Sequence, residues 1–130
     1  MAKVLVVDDD EDVRNLVRHR VQKAGHRVVT AASADEALAV VDARGAPEVV
    51  VLDVAMPGMS GLELLDTLRT LDGLAELPAI FLSARVQDGD IAKGESRNAV
   101  YLTKPFVASA LLGAMEHLLE PPDDQEDAGW

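Results

Sequence analysis

A chain of 130 residues, 48% hydrophobic and 27% charged, fits one soluble domain with a single core and leaves no room for a second. It has no cysteine, so neither a disulfide framework nor a thiolate metal site; it starts Met-Ala-Lys straight into a strand pattern, with no apolar run near the ~20 residues that span a bilayer, so a cytoplasmic protein without membrane contact is expected. The formal charge of −11, from 23 acids against 12 Lys and Arg, argues against direct nucleic-acid binding and favours cationic or metal-bridged partners.

Residues 3 to 8 read as a strand, and 11 to 24 as a helix with its apolar stripe at Val13, Leu16, Val17, Val21 and Ala24. Asp10 and Asp12 suit the helix start, and Gly25 stands where a left-handed residue ends it. Arg27 to Ala31 is a short strand. Ser33-Ala34-Asp35-Glu36 has the spacing of a capping box before Ala37, Leu38 and Val41, a helix that Gly45 and Pro47 stop. The run 48 to 53 is apolar almost without alternation, the pattern of a central strand covered on both faces. After Met56-Pro57-Gly58, an ordinary turn by composition, a helix carries Leu64, Leu65, Leu68 and Leu71, and Pro78 to Ser83 is another buried strand.

The fourth helical segment, 84 to 98, is weak: Ile91 is its only large apolar residue after Val86, and Gly89 and Gly94 each cost ~1 kcal/mol relative to Ala. A short helix or irregular loop is expected there. The last strand, 99 to 102, leads through Lys104-Pro105 to a helix with Leu111, Leu112, Met115, Leu118 and Leu119. Residues 1 to 119 form the domain, and the acidic stretch 120 to 130, opening Pro121-Pro122, has the composition of a disordered tail or linker. His19, His26 and His117 stand singly, at no metal-ligand spacing, as surface or boundary residues.

Strands alternating with helices imply right-handed crossovers and a parallel sheet covered on both faces. In the flavodoxin-like doubly wound (βα)5 order 2-1-3-4-5, strands 1 and 3 adjoin at the switch point, beyond whose carboxyl ends ligands bind. Asp8 and Asp9 after strand 1, and Asp53 closing strand 3, therefore converge on one crevice. Capping does not explain these three. Crowded carboxylates repel, which raises the pKa of at least one, and a divalent cation relieves the repulsion. Magnesium, with manganese as its substitute, suits such an oxygen-ligand set. Lys104 beyond the last strand supplies a point charge for a phosphoryl oxygen, and Ser83 a hydroxyl. Together these residues describe a site that takes a phosphoryl group onto a carboxylate by positioning and charge neutralisation.

Val6-Val7-Asp8-Asp9-Asp10, Asp53 through Gly61, Ser83-Ala84 and Tyr101-Leu102-Thr103-Lys104-Pro105-Phe106, in this order and at these separations, resemble the receiver domain of two-component response regulators over residues 3 to about 119. The resemblance implies that Asp53 is the phosphoacceptor, receiving its group from a phosphohistidine on a sensor histidine kinase or histidine phosphotransfer protein. It implies magnesium on Asp8, Asp9, Asp53 and the main-chain carbonyl of Ala55, phosphoryl contacts from Ser83 and Lys104, a switch pair Ser83 and Tyr101, and a cis peptide at Lys104-Pro105. It further implies a signalling domain that catalyses only its own phosphorylation and dephosphorylation, acting on an output partner whose identity, like any phosphorylation-linked dimer, stays open. Taken singly, Tyr101 reads equally as a half-buried strand aromatic, Ser83 as a helix cap and Lys104 as a solvated loop lysine; their joint spacing raises them.

One departure stands out: Glu95-Ser96-Arg97-Asn98-Ala99-Val100 replaces the family's Gly-Ala-Asp-like turn, in a span about one residue short. Two other readings of the chain are a receiver-like binding module that signals without phosphorylation and a haloacid-dehalogenase-type phosphatase built on Asp8-Asp9-Asp10. The second has Asp12 where Thr or Val belongs. A nucleotide-binding flavodoxin relative is disfavoured, because acids and not glycines follow the first strand.

Overall fold

Five parallel strands, β1 (Lys3–Val7), β2 (Arg27–Ala31), β3 (Val49–Asp53), β4 (Ala79–Ser83) and β5 (Ala99–Thr103), form one sheet in the order β2-β1-β3-β4-β5 in a computed structural model that describes residues 2–84 and 98–119. The expected weak helix at 84 to 98, apart from its end residues, and the acidic stretch 120 to 130 lie outside the described residues. Four helices are described: α1 (Glu11–Lys23), α2 (Ala34–Arg44), α3 (Gly61–Leu68) and α4 (Ala108–Leu119).

Every residue of β3 and β4 is buried, which is why their sequences lack polar alternation. Successive side chains of a strand point to opposite faces, so the core divides in two. Leu5, Val7, Val50, Leu52 and Phe81 pack with α2 and α3 on one face, while Val4, Val6, Val51, Ile80 and Leu82 pack with α1 and α4 on the other. Each fully buried Leu, Ile or Phe contributes roughly 1.5–3 kcal/mol by leaving water.

Local chemistry sets the helix ends. Asp10 caps α1, accepting from the N–H groups of Asp12 (2.9 Å) and Val13 (3.4 Å). Gly25, at φ +102, carries the chain out beyond it. At α2 the capping box is half formed: Ser33 accepts from the Glu36 N–H, but the Glu36 carboxylate accepts from Ala32. The reciprocal box sits instead at α3, where Ser60 and Glu63 accept from each other's backbone N–H groups. That helix ends at Leu68, so Leu71, expected on its apolar face, lies in the following turn and is 40% exposed. Arg69, just past its last turn, donates its guanidinium to the Leu77 carbonyl and so ties the end of α3 to the approach to β4. Leu16, expected on the buried stripe of α1, is 46% exposed, because Val17 and Val21 carry the contact with the sheet.

Asn98 enters β5 at φ +53, a left-handed conformation that Asn tolerates better than most residues. Its side chain donates to Glu76, and its carbonyl accepts from Ala79, which ties the start of β5 to β4. His19 and His117 are exposed, and half-buried His26 accepts from the Ala2 N–H.

Candidate functional site

At the carboxyl ends of β1 and β3, one oxygen each from Asp8, Asp9 and Asp53 lies within 4.8 Å of the others. Asp8 and Asp53 are buried, and Asp9 is exposed. Sheet topology makes this meeting, because β1 and β3 are paired neighbours and both run out of apolar residues at the same level.

Asp8 is held from several sides. Its N–H donates to the Ala31 carbonyl on β2 (3.2 Å), its Oδ1 accepts from the Asp10 N–H (2.9 Å), and its own carbonyl accepts from Arg14 Nη1 (2.8 Å). Asp53 is in register with Leu82 of β4, and its Oδ1 lies 3.4 Å from the donating Ala55 N–H. The Gly61 N–H donates to the Val54 carbonyl, bringing the start of α3 against the end of β3.

Lys104 closes the cluster. Its Nζ lies 3.1 Å from Asp8 Oδ2 and 3.4 Å from Asp53 Oδ1. The Lys104 N–H donates to the Ser83 carbonyl, and the Lys104-Pro105 peptide bond is cis. Ser83 is buried at the end of β4, beside the Leu82 that registers with Asp53. Tyr101, half-buried in β5 and in register with Phe81, packs against the core on the α2 and α3 face, with its hydroxyl 3.5 Å from Thr103 Oγ1.

Burial pushes the Asp53 carboxyl up from 3.8 to about 6, and the Asp8 charge adds to the rise, while Lys104 opposes it. Burial by itself would lower the Lys104 ammonium, but its hydrogen bond to Asp8 and the charges of Asp53 and Asp8 prevail, and its pKa is raised. Among the described residues, three carboxylates, when ionised, face one ammonium, an excess of negative charge that suits a divalent cation. A hard-oxygen donor set with two buried members fits magnesium, which is usually held by one or two carboxylates and keeps several waters.

Arg14 and Gly61 were not singled out in the sequence as site residues. Arg14 clamps the loop of Asp8 through a backbone oxygen, a contact that leaves no spacing signal beyond an arginine in the second turn of α1. Gly61 borders Asp53 so closely that only a glycine fits; it closes the motif that begins at Asp53, but the motif gives it no role. Asp10 and Asp12, by contrast, serve the start of α1. Among the described residues no helix is long and apolar enough to cross a membrane.

The chain is similar to known proteins over most of its length. The family model of the response regulator receiver domain matches residues 4–116. An uncharacterized 14.6 kDa protein of Leptolyngbya boryana is 41% identical over 124 residues, covering 92% of this chain and 93% of that protein. The transcriptional regulatory protein AfsQ1 of Streptomyces coelicolor is 37% identical over 112 residues, 85% of this chain but 48% of its own length. This chain therefore spans about half of that regulator. Among solved structures, the chemotaxis protein CheY4 of Vibrio cholerae superposes with a TM-score of 0.82 at 34% identity, covering 92% of this chain and 99% of that one.

Proposed function

Because this chain belongs to the response regulator receiver domain family, we propose that it is a signalling switch in which Asp53 accepts a phosphoryl group from a phosphohistidine. The carrying observation is the convergence of three carboxylates, two of them buried, with Lys104 bridging Asp8 and Asp53. A carboxylate oxygen of Asp53 forms the new P–O bond as the donor's N–P bond breaks. The imidazole nitrogen leaves with the electron pair and takes a proton from solvent.

Asp8, Asp9, Asp53 and the main-chain carbonyl of Ala55 would hold magnesium, which supplies neutralisation of phosphoryl charge when bound. Lys104 releases its bond to Asp53 and turns to a phosphoryl oxygen, while Asp8 keeps it oriented. Such catalysis is positioning and electrostatics, with little covalent work left for the protein. Ser83 donates its hydroxyl to the phosphoryl group, and the movement leaves space that the Tyr101 ring fills, repacking the β4–β5 side of the sheet.

The donor is a sensor histidine kinase or histidine phosphotransfer protein, and the repacked surface is read by an output partner. The chain acts catalytically only on its own phosphoryl group. Incubation with magnesium and acetyl phosphate tests this reading: the intact mass gains one phosphoryl group, and Asp53→Asn gains none. A gain retained in Asp53→Asn refutes it.

A further inference from the structure

A cavity of about 320 Å3 opens at the end of the sheet opposite the acids, between the amino ends of β1 and β2 and the carboxyl end of α2. Leu5, Val40 and Val41 give it apolar walls; Lys3, Arg27 and Arg44 also line it, and among the described residues no acid does. Volumes of this order are those of small-ligand clefts. Lys3 and Arg27 are paired residues on neighbouring strands, so their side chains project to the same face. Two like charges side by side on neighbouring strands repel. In a chain with 23 acids, none of the three cations has an ion-pair partner among the described residues. Glu48 is close by but commits its carboxylate to the main-chain N–H of Lys3 (3.0 Å).

We infer that this cavity is a binding site for a small organic anion: a flat apolar body carrying a carboxylate or phosphate group. The body replaces water against the valine and leucine walls. The anionic group sits between Lys3 and Arg27 and relieves their repulsion, while Arg44 offsets the negative carboxyl end of α2. Glu48 is the acid that a contact places beside the site, and it is held on the Lys3 main chain; acids farther than a Debye length of about 8 Å are screened, whereas the three cations act at contact. β2 is an edge strand, so the site is reached without opening the sheet.

The test titrates the full chain, 15N-labelled and free of magnesium, with 1-naphthyl phosphate and separately with 1-naphthoate, to learn which anionic group is preferred. Saturable shifts at the amides of Val28, Val40 and Gly45 are expected for at least one. Neutral 1-naphthol should bind roughly tenfold more weakly, as should the Arg27→Gln/Arg44→Gln variant, whose other resonances report that the fold is kept. Asp53→Asn should bind like the parent, so the outcome is independent of the phosphoacceptor reading. Absence of saturable shifts at these amides with both anions, equal binding of 1-naphthol, or undiminished binding by the double variant would overturn the inference.

Discussion

Gly61 leaves no room for a side chain against Asp53: a Cβ added there would collide with the Asp53 carbonyl oxygen and crowd the α carbon of Val54. Both atoms belong to backbone, so the strain would pass directly into the residue that carries the central carboxylate. Gly61→Ala should therefore cost about 1–3 kcal/mol of stability, the usual range for overpacking. Displacement of Asp53 should also slow phosphorylation by acetyl phosphate by on the order of 10²-fold. Chemical denaturation and the phosphorylation rate measure the two effects separately.

Among the described residues, Lys104 is the cation paired with the acids. Lys104→Ala should slow phosphorylation by on the order of 10²–10³-fold, as the loss of one transition-state donor does elsewhere. The same substitution removes a positive charge from the cluster, so magnesium should bind more tightly than in the parent. Opposite movement of rate and metal affinity separates this role from a general loss of structure.

Asp53 gives the protein a pH signature. Its carboxyl is raised from 3.8 to about 6, so between these values the native state holds a proton that the unfolded chain has released. Metal-free stability therefore falls as pH rises through that window. Asp53→Asn removes the strain and should be more stable than the parent at pH 7 by on the order of 1–3 kcal/mol, a difference that disappears below about pH 4. Magnesium should raise the parent's Tm at pH 7 and do so far less at pH 5, where protons compete for the carboxylates. Chelation should reverse the gain.

Ser60 and Glu63 form the reciprocal cap at the start of α3. Ser60→Ala should cost about 1 kcal/mol in thermal or chemical unfolding. Because the cap lies at the helix that carries Gly61, a phosphorylation rate lowered in proportion to local fraying is expected, measured by amide exchange over residues 61–65.

Much of this architecture was legible in the chain. The uninterrupted apolar run of β3 and the strand-helix alternation lead to the order found, and with it to the meeting of Asp8, Asp9 and Asp53. What periodicity could not deliver were contacts made through backbone atoms. Arg14 reaches the Asp8 carbonyl, Arg69 reaches the Leu77 carbonyl, and Glu36 turns to Ala32 instead of completing its box. Leu16 matched a helical stripe yet stays exposed, because α1 needs only the narrow face of Val17 and Val21 to cover β1. The like-charged pair of Lys3 and Arg27 needs the strand register, which no local pattern encodes.

The most direct test of the phosphoacceptor assignment is chemical. After incubation with magnesium and acetyl phosphate, borohydride reduction converts an aspartyl phosphate to homoserine, and peptide mass mapping locates it. Homoserine at position 53 alone is the predicted result; homoserine at position 8 or 9, or a phosphoryl group that resists reduction, would contradict it.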